Sequence, residues 1–305
     1  MNKVVIFGGL GNQMFQFALA IVMDSIGKPT KISVNDYILH EHYQGFELIK
    51  AFDIPICFDD RFRVIYVSKF LRPLLVHSKL NWFKKFAKNI FRFSDNIYYE
   101  KDEFCFDQKI YELDNYYLIG GWKSTLYFDS HKSLIQEVFN FKKPIDDVNL
   151  SVSRKIQSCN SVAVHIRRGN YSDPSQNQNR VLLDATDYYK NAFQYINEHV
   201  TNPVFYIFSD DPEWVRKNIK GDNVFYISHN TGPNSYLDMY LMSICKHFII
   251  ANSSFSWWPA WLSKSEEKIV VSPDTWEAKC PNRTVYPEGW KVVPVSSQDI
   301  EFIEV

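Results

Sequence analysis

Apolar residues recur along this chain with two spacings, and their alternation predicts most of its elements. Val4 to Phe7 is a short apolar run ending at Gly8-Gly9-Leu10-Gly11, and from Asn12 to Ile26 the positions Met14, Phe17, Ala18, Ile21 and Val22 recur at helical spacing. That pattern predicts a strand, a glycine turn and a helix. From Ser161 the alternation becomes regular: strand 161–166, helix 184–200, strand 203–209, helix 212–219, strand 223–228, helix 235–246, strand 247–252, helix 254–264 and strand 268–272. Repeated β–α units predict a parallel sheet, because parallel neighbours need a crossover and a helix supplies it. Asp211-Pro212 marks a helix start, with an acidic cap and proline at the first helical position. Between 30 and 150 the pattern predicts a strand at Tyr116–Gly120, a helix near Phe128–Phe139 and a domain boundary in the polar stretch 142–160. Residues 273–305 carry scattered prolines and little periodicity, and read as a tail wrapping back over the preceding domains.

Ligands of parallel α/β sheets bind beyond the carboxyl ends of the strands. His165, Arg167, Asp210, Asn252 and Ser253 all fall at such ends in the predicted elements. The run from Val162 to Tyr171 delivers one histidine and two adjacent arginines onto a turn containing Gly169. A guanidinium offers a fixed fork of donors that fits two phosphate oxygens, so paired arginines at a strand end suggest a diphosphate held without metal. The alternative is a surface salt-bridge pair of little energetic weight. Adjacent Asp210 and Asp211 invite a magnesium reading, which the arginines make unnecessary. The Gly8–Gly11 turn lets backbone approach an anion at a helix start. It lacks both the P-loop lysine and the third glycine of the dinucleotide fingerprint.

Composition sets limits on these readings. A chain of 305 residues favours two domains, and a net charge of -1 excludes a surface that grips nucleic acid by charge over its whole extent. Cys57, Cys105, Cys159, Cys245 and Cys280 are scattered without paired spacing, which argues against disulfide and zinc frameworks. The N-terminus lacks a signal-type apolar region and no apolar run reaches 18 residues, so a cytoplasmic location is expected. One local anomaly stands out: between Arg61 and Arg92 there are nine Lys or Arg and no Asp or Glu. Within it, residues 79–92 read as a basic amphipathic helix, suited to peripheral contact with an anionic membrane on its inner face or to packing on a core with its lysines solvated.

With these pieces placed, the chain resembles the α-1,2-fucosyltransferase family, and more distantly the α-1,6- and protein O-fucosyltransferases. The resemblance rests on Gly8-Gly9-Leu10-Gly11-Asn12-Gln13-Met14-Phe15-Gln16, on His165-Ile166-Arg167-Arg168-Gly169-Asn170-Tyr171, on Phe208-Ser209-Asp210-Asp211, and on Asp238-Met239-Tyr240-Leu241-Met242-Ser243 through Asn252-Ser253-Ser254-Phe255-Ser256-Trp257-Trp258. Weaker matches lie at Gly120-Gly121-Trp122-Lys123-Ser124 and Tyr286-Pro287-Glu288-Gly289-Trp290. It implies an α/β fold of two Rossmann-like domains facing across a cleft, the glycosyltransferase B arrangement. Residues 1–155 would form the acceptor-side domain, 156–272 the GDP-fucose-binding domain, and 273–305 a segment packing back across both.

The resemblance further implies an inverting, metal-independent transfer of L-fucose from GDP-fucose to the 2-hydroxyl of a terminal β-galactoside. The acceptor would be a galactose-terminated oligosaccharide or lipid-linked glycan, as in bacterial O-antigen synthesis, and no cofactor is implied. Arg167 would hold the β-phosphate and stabilise the leaving group, with Arg168 beside it. His165 would bond the nucleoside end and Asp238 the guanine edge. Ser253 and Ser254 would donate to phosphate oxygens, with Asn252 and Phe255 in the same run, and Gly11 and Asn12 would contact the phosphate or the fucose. The chain departs from the family at Asn170, where an aspartate is usual. An amide there can still organise a loop but cannot take a proton. Asp173, Asp184 and Asp187 are the candidates for a base, although Asp184 or Asp187 suits a helix cap equally well. Two rival readings are another GDP-sugar transferase, such as one using GDP-mannose, and a non-catalytic carbohydrate-binding protein with Trp257 and Trp258 as stacking platforms.

Overall fold

The computed structural model describes residues 1–34, 44–54, 96–143, 146–169, 181–276, 284–295 and 303–304. The basic segment 79–92, Asn170 and Asp173 lie outside the described residues. The chain divides into two compact units, residues 1–48 with 54–137 and residues 49–53 with 138–305. Each is a parallel α/β unit of Rossmann type, the fold class that the motifs imply.

In the first unit the predicted strand, turn and helix form β1 (Asn2–Val5) and α1 (Leu10–Ser25). β1 pairs in parallel with β2 (Thr30–Ser33) on one side and β4 (Tyr117–Ile119) on the other, and β3 (Ile97–Tyr99) extends the sheet beyond β4. Val4 lies opposite both Ile32 and Leu118, and all three are buried. α1 is buried on nearly every side, which the apolar stripe alone does not demand. Its two buried amides explain this. Gln13 donates to the carbonyls of Gly8 and Gly45 and accepts from Glu47 N, while Gln16 accepts from Phe7 N and donates to Gly120 O. Both glutamines of the Gly-Asn-Gln-x-x-Gln run therefore tie loops to the helix, and their polar atoms are satisfied where water is absent.

The second unit holds a six-stranded parallel sheet around β5 (Asn160–Ile166). On one side of β5 lie β6 (Pro203–Ser209) and β8 (Val224–Ile227); on the other lie β9 (His247–Ile249), β10 (Val270–Pro273) and β11 (Lys291–Val293). The connecting helices are α3 (Tyr188–His199), α4 (Pro212–Asn218), α5 (Tyr236–Ser243) and α6 (Ser254–Leu262). Val162, Val164 and Ile166 point into one core with Tyr188, Tyr189, Phe193, Phe205 and Ile207. Asp211 caps α4 as its spacing predicts, accepting from Trp214 N at 3.0 Å.

Three elements depart from the sequence reading. α2 (Asp147–Gln157) occupies the stretch read as a polar boundary, and it lies wholly in the second unit. Its buried positions are Asn149, Ser153 and Ile156, so two of three inward residues are polar and no apolar stripe advertises it. Of the supposed tail, β11 and β12 (Ile303–Glu304) both belong to the second unit, the latter pairing with β7 (Ile219–Lys220). Strands of two or three residues are too short to leave a period. Finally, α3 begins at Tyr188, because Leu183–Ala185 forms a separate 3-10 turn.

Candidate active site

In the second unit the strand order reverses between β5 and β9: the chain runs outward from β5 through β6 to β8, then crosses to β9 and runs outward again. At such a switch point the loops following the two central strands diverge and open a crevice at their carboxyl ends. Arg167 follows β5 immediately and Ser253 opens α6 after β9, so both flank that crevice.

His165 joins the two walls. Its Nδ1 lies 2.9 Å from Ser256 Oγ in the first turn of α6, its carbonyl accepts from the Tyr189 hydroxyl, and its ring packs against Phe255 at 5.6 Å between centroids. Burial, opposed by Asp210 and assisted by Arg167, pulls the imidazole down to about 4. His165 is therefore neutral at physiological pH, a hydrogen-bonding group rather than a charge. Ser253 caps α6 by accepting from Phe255 N, and Ser254 follows it in the same turn.

The two arginines are held differently. Arg167 Nη1 bonds Asp210 Oδ2 at 2.8 Å, while Asp210 Oδ1 accepts from the backbone N of Arg168 at 2.8 Å. Asp210 thus fixes the turn and the Arg167 fork together. Arg168 lies with its guanidinium 4.3 Å above the Trp214 ring, its Nε bonded to Asp211 Oδ2 and its Nη1 to Asp184 Oδ2. Two carboxylates and a stacked indole occupy it, which is the geometry of a structural clamp. Asp184 is thereby committed to an ion pair in the interior, and Thr186, not Asp184, accepts from Tyr188 N at the head of α3.

Gly169 is required for this arrangement, since a Cβ there would overlap Asp210 Oδ2. Gly169→Ala is expected to displace the Asp210 carboxylate and release Arg167. A charge-assisted bond contributes about 1.5–3 kcal/mol, so kcat/KM should fall by about one to two decades. An alanine variant with unchanged kcat/KM would show that the Asp210 contact does not matter.

Asn252 is placed otherwise than its motif suggests. Its amide donates to the carbonyls of Val181 and Trp276, so both hydrogens pin neighbouring loops. Trp257 and Trp258 are fully buried, and Trp257 Nε1 donates to Val285 O at 2.7 Å. Neither can serve as a platform for a sugar face, which removes the feature on which the carbohydrate-binding reading rested. Asp238 sits in the first turn of α5, at the same end of the sheet, with Oδ1 accepting from Asn230 at 2.8 Å.

Gly11 and Asn12 belong to the first unit, whose own strand order reverses between β1 and β4. The paired glycines Gly8-Gly9 and Gly120-Gly121 follow those two strands, and Gln16 links the turns. Gly8 has φ +77, and a Cβ on it would sit 2.8 Å from Asn12 Nδ2. At the second turn Glu100 Oε2 accepts from Gly121 N and Trp122 N, holding Trp122 at φ 54. Side chains at Gly120 and Gly121 would overlap Glu100 and Glu103, and Glu103 pairs with the buried Lys123 at 2.7 Å. No apolar period announces Glu100, so sequence reasoning missed it.

Burial pushes the Glu100 carboxyl up to about 8, against the pull of the two backbone N–H groups, and its Oε1 is enclosed without a partner among the described residues. A raised carboxyl contributes stability that is complete below its unfolded value near 4.5 and lost as pH rises through about 8. Glu100→Gln removes the titration and keeps the shape. Its melting temperature relative to wild type should rise from pH 4.5 and level off above 8, by the equivalent of a few kcal/mol. A difference independent of pH would contradict the buried, neutral carboxyl.

Residues 1–293 match the model of the family described as glycosyl transferase family 11. The chain belongs to glycosyl transferase family 11. It is 34% identical over 279 residues to an Escherichia coli protein named alpha-1,2-colitosyltransferase, covering 88% of this chain and 90% of that one. It is 31% identical over 303 residues to the E. coli O-antigen biosynthesis glycosyltransferase WbnK, covering 93% and 97%. A Caenorhabditis elegans galactoside 2-alpha-L-fucosyltransferase is 27% identical over 212 residues, 63% of this chain and 55% of that protein. As a family 11 glycosyltransferase the chain is an enzyme that takes a sugar from a donor to an acceptor. Among the described residues no helix is long and apolar enough to cross a membrane.

Proposed function

We propose that this enzyme transfers L-fucose from GDP-fucose to the 2-hydroxyl of a terminal β-galactoside, with inversion and without a metal, during O-antigen synthesis. The observation that carries the reading is Arg167, oriented by Asp210 at the β5–β9 switch point where α6 presents its capped N-terminus. Cleavage of the sugar–phosphate bond develops negative charge on the departing diphosphate, and an oriented guanidinium together with helix N–H groups answers that charge as it forms. Neutral His165 fits a bond to the donor without adding charge. Ser253 and Ser254 stand where donor phosphates would meet α6. Arg168, engaged by Asp184, Asp211 and Trp214, would hold the turn instead of contacting the donor, and Asn252 supports the loops.

The α-1,2 linkage is supported by its recurrence in the names of the colitosyl and fucosyl relatives, and the O-antigen setting by the second relative. The first relative favours a second reading, in which the donor sugar is colitose, the 3-deoxy counterpart of fucose. Incubation with GDP-fucose or GDP-colitose and a panel of β-galactosides, with linkage read by NMR, decides between them. An α-1,2-fucosyl product is expected to form in excess EDTA. Exclusive transfer of colitose would replace the donor, and a strict requirement for added divalent cation would overturn the metal-free mechanism. The basic segment 79–92 would bring the enzyme to a lipid-linked acceptor. Co-sedimentation with anionic vesicles should then be lost when Lys84, Lys85 and Lys88 are neutralised, and equal binding by that variant would reject the contact.

A further inference from the structure

Behind Asp238 lies a chain of polar groups that neither the sequence motifs nor the mechanism above accounts for. Asn149, on α2, and Asn230, before α5, form a closed pair in which each amide donates to the other's oxygen at 2.9 Å. The second hydrogens of both amides go to carboxylates: Asn149 Nδ2 to Asp146 at 3.0 Å, and Asn230 Nδ2 to Asp238 Oδ1 at 2.8 Å. His229 Nε2, 3.0 Å away, fills the remaining acceptor position on Asn149 Oδ1. Both amides are buried, at 2% and 8% exposure. Asn149 is thus saturated, and neither amide can turn over without breaking the ring, so Asn230 always offers Asp238 a donor. Asp238 Oδ2 has no partner among the described residues.

We propose that Asn230 and, through it, Asn149 are positioning residues that hold Asp238 as an oriented hydrogen-bond acceptor for the nucleobase of the donor. This rests on the GDP-sugar reading of the same site. Guanine presents two adjacent donors, N1–H and the exocyclic amine, and only an ionised carboxylate accepts from both. A protonated Asp238 would present a donor in the wrong place. Burial pushes its carboxyl up to about 7, and the Asn230 bond is the contact that opposes this. The relay therefore fixes both the direction and the polarity of the group that reads the base. Two buried apolar residues of similar shape would tie α2 to α5 as firmly but could do neither.

The test is binding of GDP, IDP and inorganic pyrophosphate to the full chain by calorimetry, with folding checked by thermal melting. IDP keeps N1–H and lacks the exocyclic amine, so wild type should prefer GDP by about ten- to a hundredfold. Asn230→Ala should reduce that preference to about threefold or less while pyrophosphate affinity stays unchanged. Asn149→Ala, one step further from Asp238, should reduce it less; it serves as the second variant if Asn230→Ala does not fold. Unchanged preference in a folded Asn230→Ala or Asn149→Ala protein, or equal loss of affinity for all three ligands, would overturn the proposal. Wild type that binds GDP and IDP equally would also overturn it while leaving the GDP-sugar reading standing. Wild type that binds no GDP would overturn both.

Discussion

Arg167→Ala is expected to lower kcat/KM by about two decades or more and to leave the fold intact. Removing a single charge-assisted hydrogen bond costs about 1.5–3 kcal/mol, one to two decades at about 1.4 kcal/mol each, and a guanidinium that grips two oxygens loses more. Arg167 is also partly exposed, and its partner Asp210 remains bonded to Arg168 N, so no buried charge is stranded. Melting should shift by no more than about 1 kcal/mol in stability. Arg167→Lys should recover only part of the rate, because an ammonium is a point charge without the planar fork. An alanine variant with more than about a tenth of the wild-type rate would contradict the role, since that is less than the loss of one such bond.

The neighbouring arginine should fail in a different way. Arg168→Ala strands Asp184, whose side chain is 3% exposed and whose Oδ1 is already enclosed without a partner among the described residues. Breaking one half of a buried pair costs about 3–5 kcal/mol, which lowers the melting temperature of the second unit by about 10 °C. Replacing both partners, as Arg168→Met with Asp184→Leu, should restore more than half of that loss, because the stranded charge is gone. If Arg168 instead contacted the donor directly, the single variant would lose activity with little change in melting. Thermal unfolding of the two variants beside kcat/KM separates these outcomes.

The sequence was most legible where burial is apolar. Among the described residues, the alternation from Ser161 to Val271 anticipates the strands and α-helices of the second unit from β5 to β10, apart from the two-residue β7, to within a few residues, because their inward faces are apolar, with Val, Ile, Phe and Tyr in β5, β6 and α3, Leu and Met in α5 and Trp in α6. The parallel sheet followed from that alternation, and the two Rossmann-like domains from the family resemblance. Legibility failed where polar groups are buried and satisfied by one another. α2 hides Asn149 and Ser153, Gln13 and Gln16 bind backbone, and Glu100 Oε2 accepts from Gly121 N and Trp122 N. Periodicity counts such residues as surface, and only the fold shows what faces them. The arginine pair shows the same limit. Two adjacent arginines read alike in sequence, yet Arg168 is enclosed by Asp184, Asp211 and Trp214, while Arg167 stands at the crevice with Asp210. For the same reason the motif that names Asn252 does not show that its amide ties two loops, and the rival reading that makes Trp257 and Trp258 sugar platforms does not show that both are buried.

In the proposed mechanism a guanidinium, and not a bound cation, receives the diphosphate as it leaves the sugar. A crystal structure of the enzyme with GDP, grown with Mg²⁺ present, tests it directly. The β-phosphate oxygens are expected within hydrogen-bonding distance of the Arg167 guanidinium and near the first turn of α6, with no metal between protein and phosphate. A nucleotide bound away from Arg167, or a diphosphate joined to the protein through the cation, would contradict it.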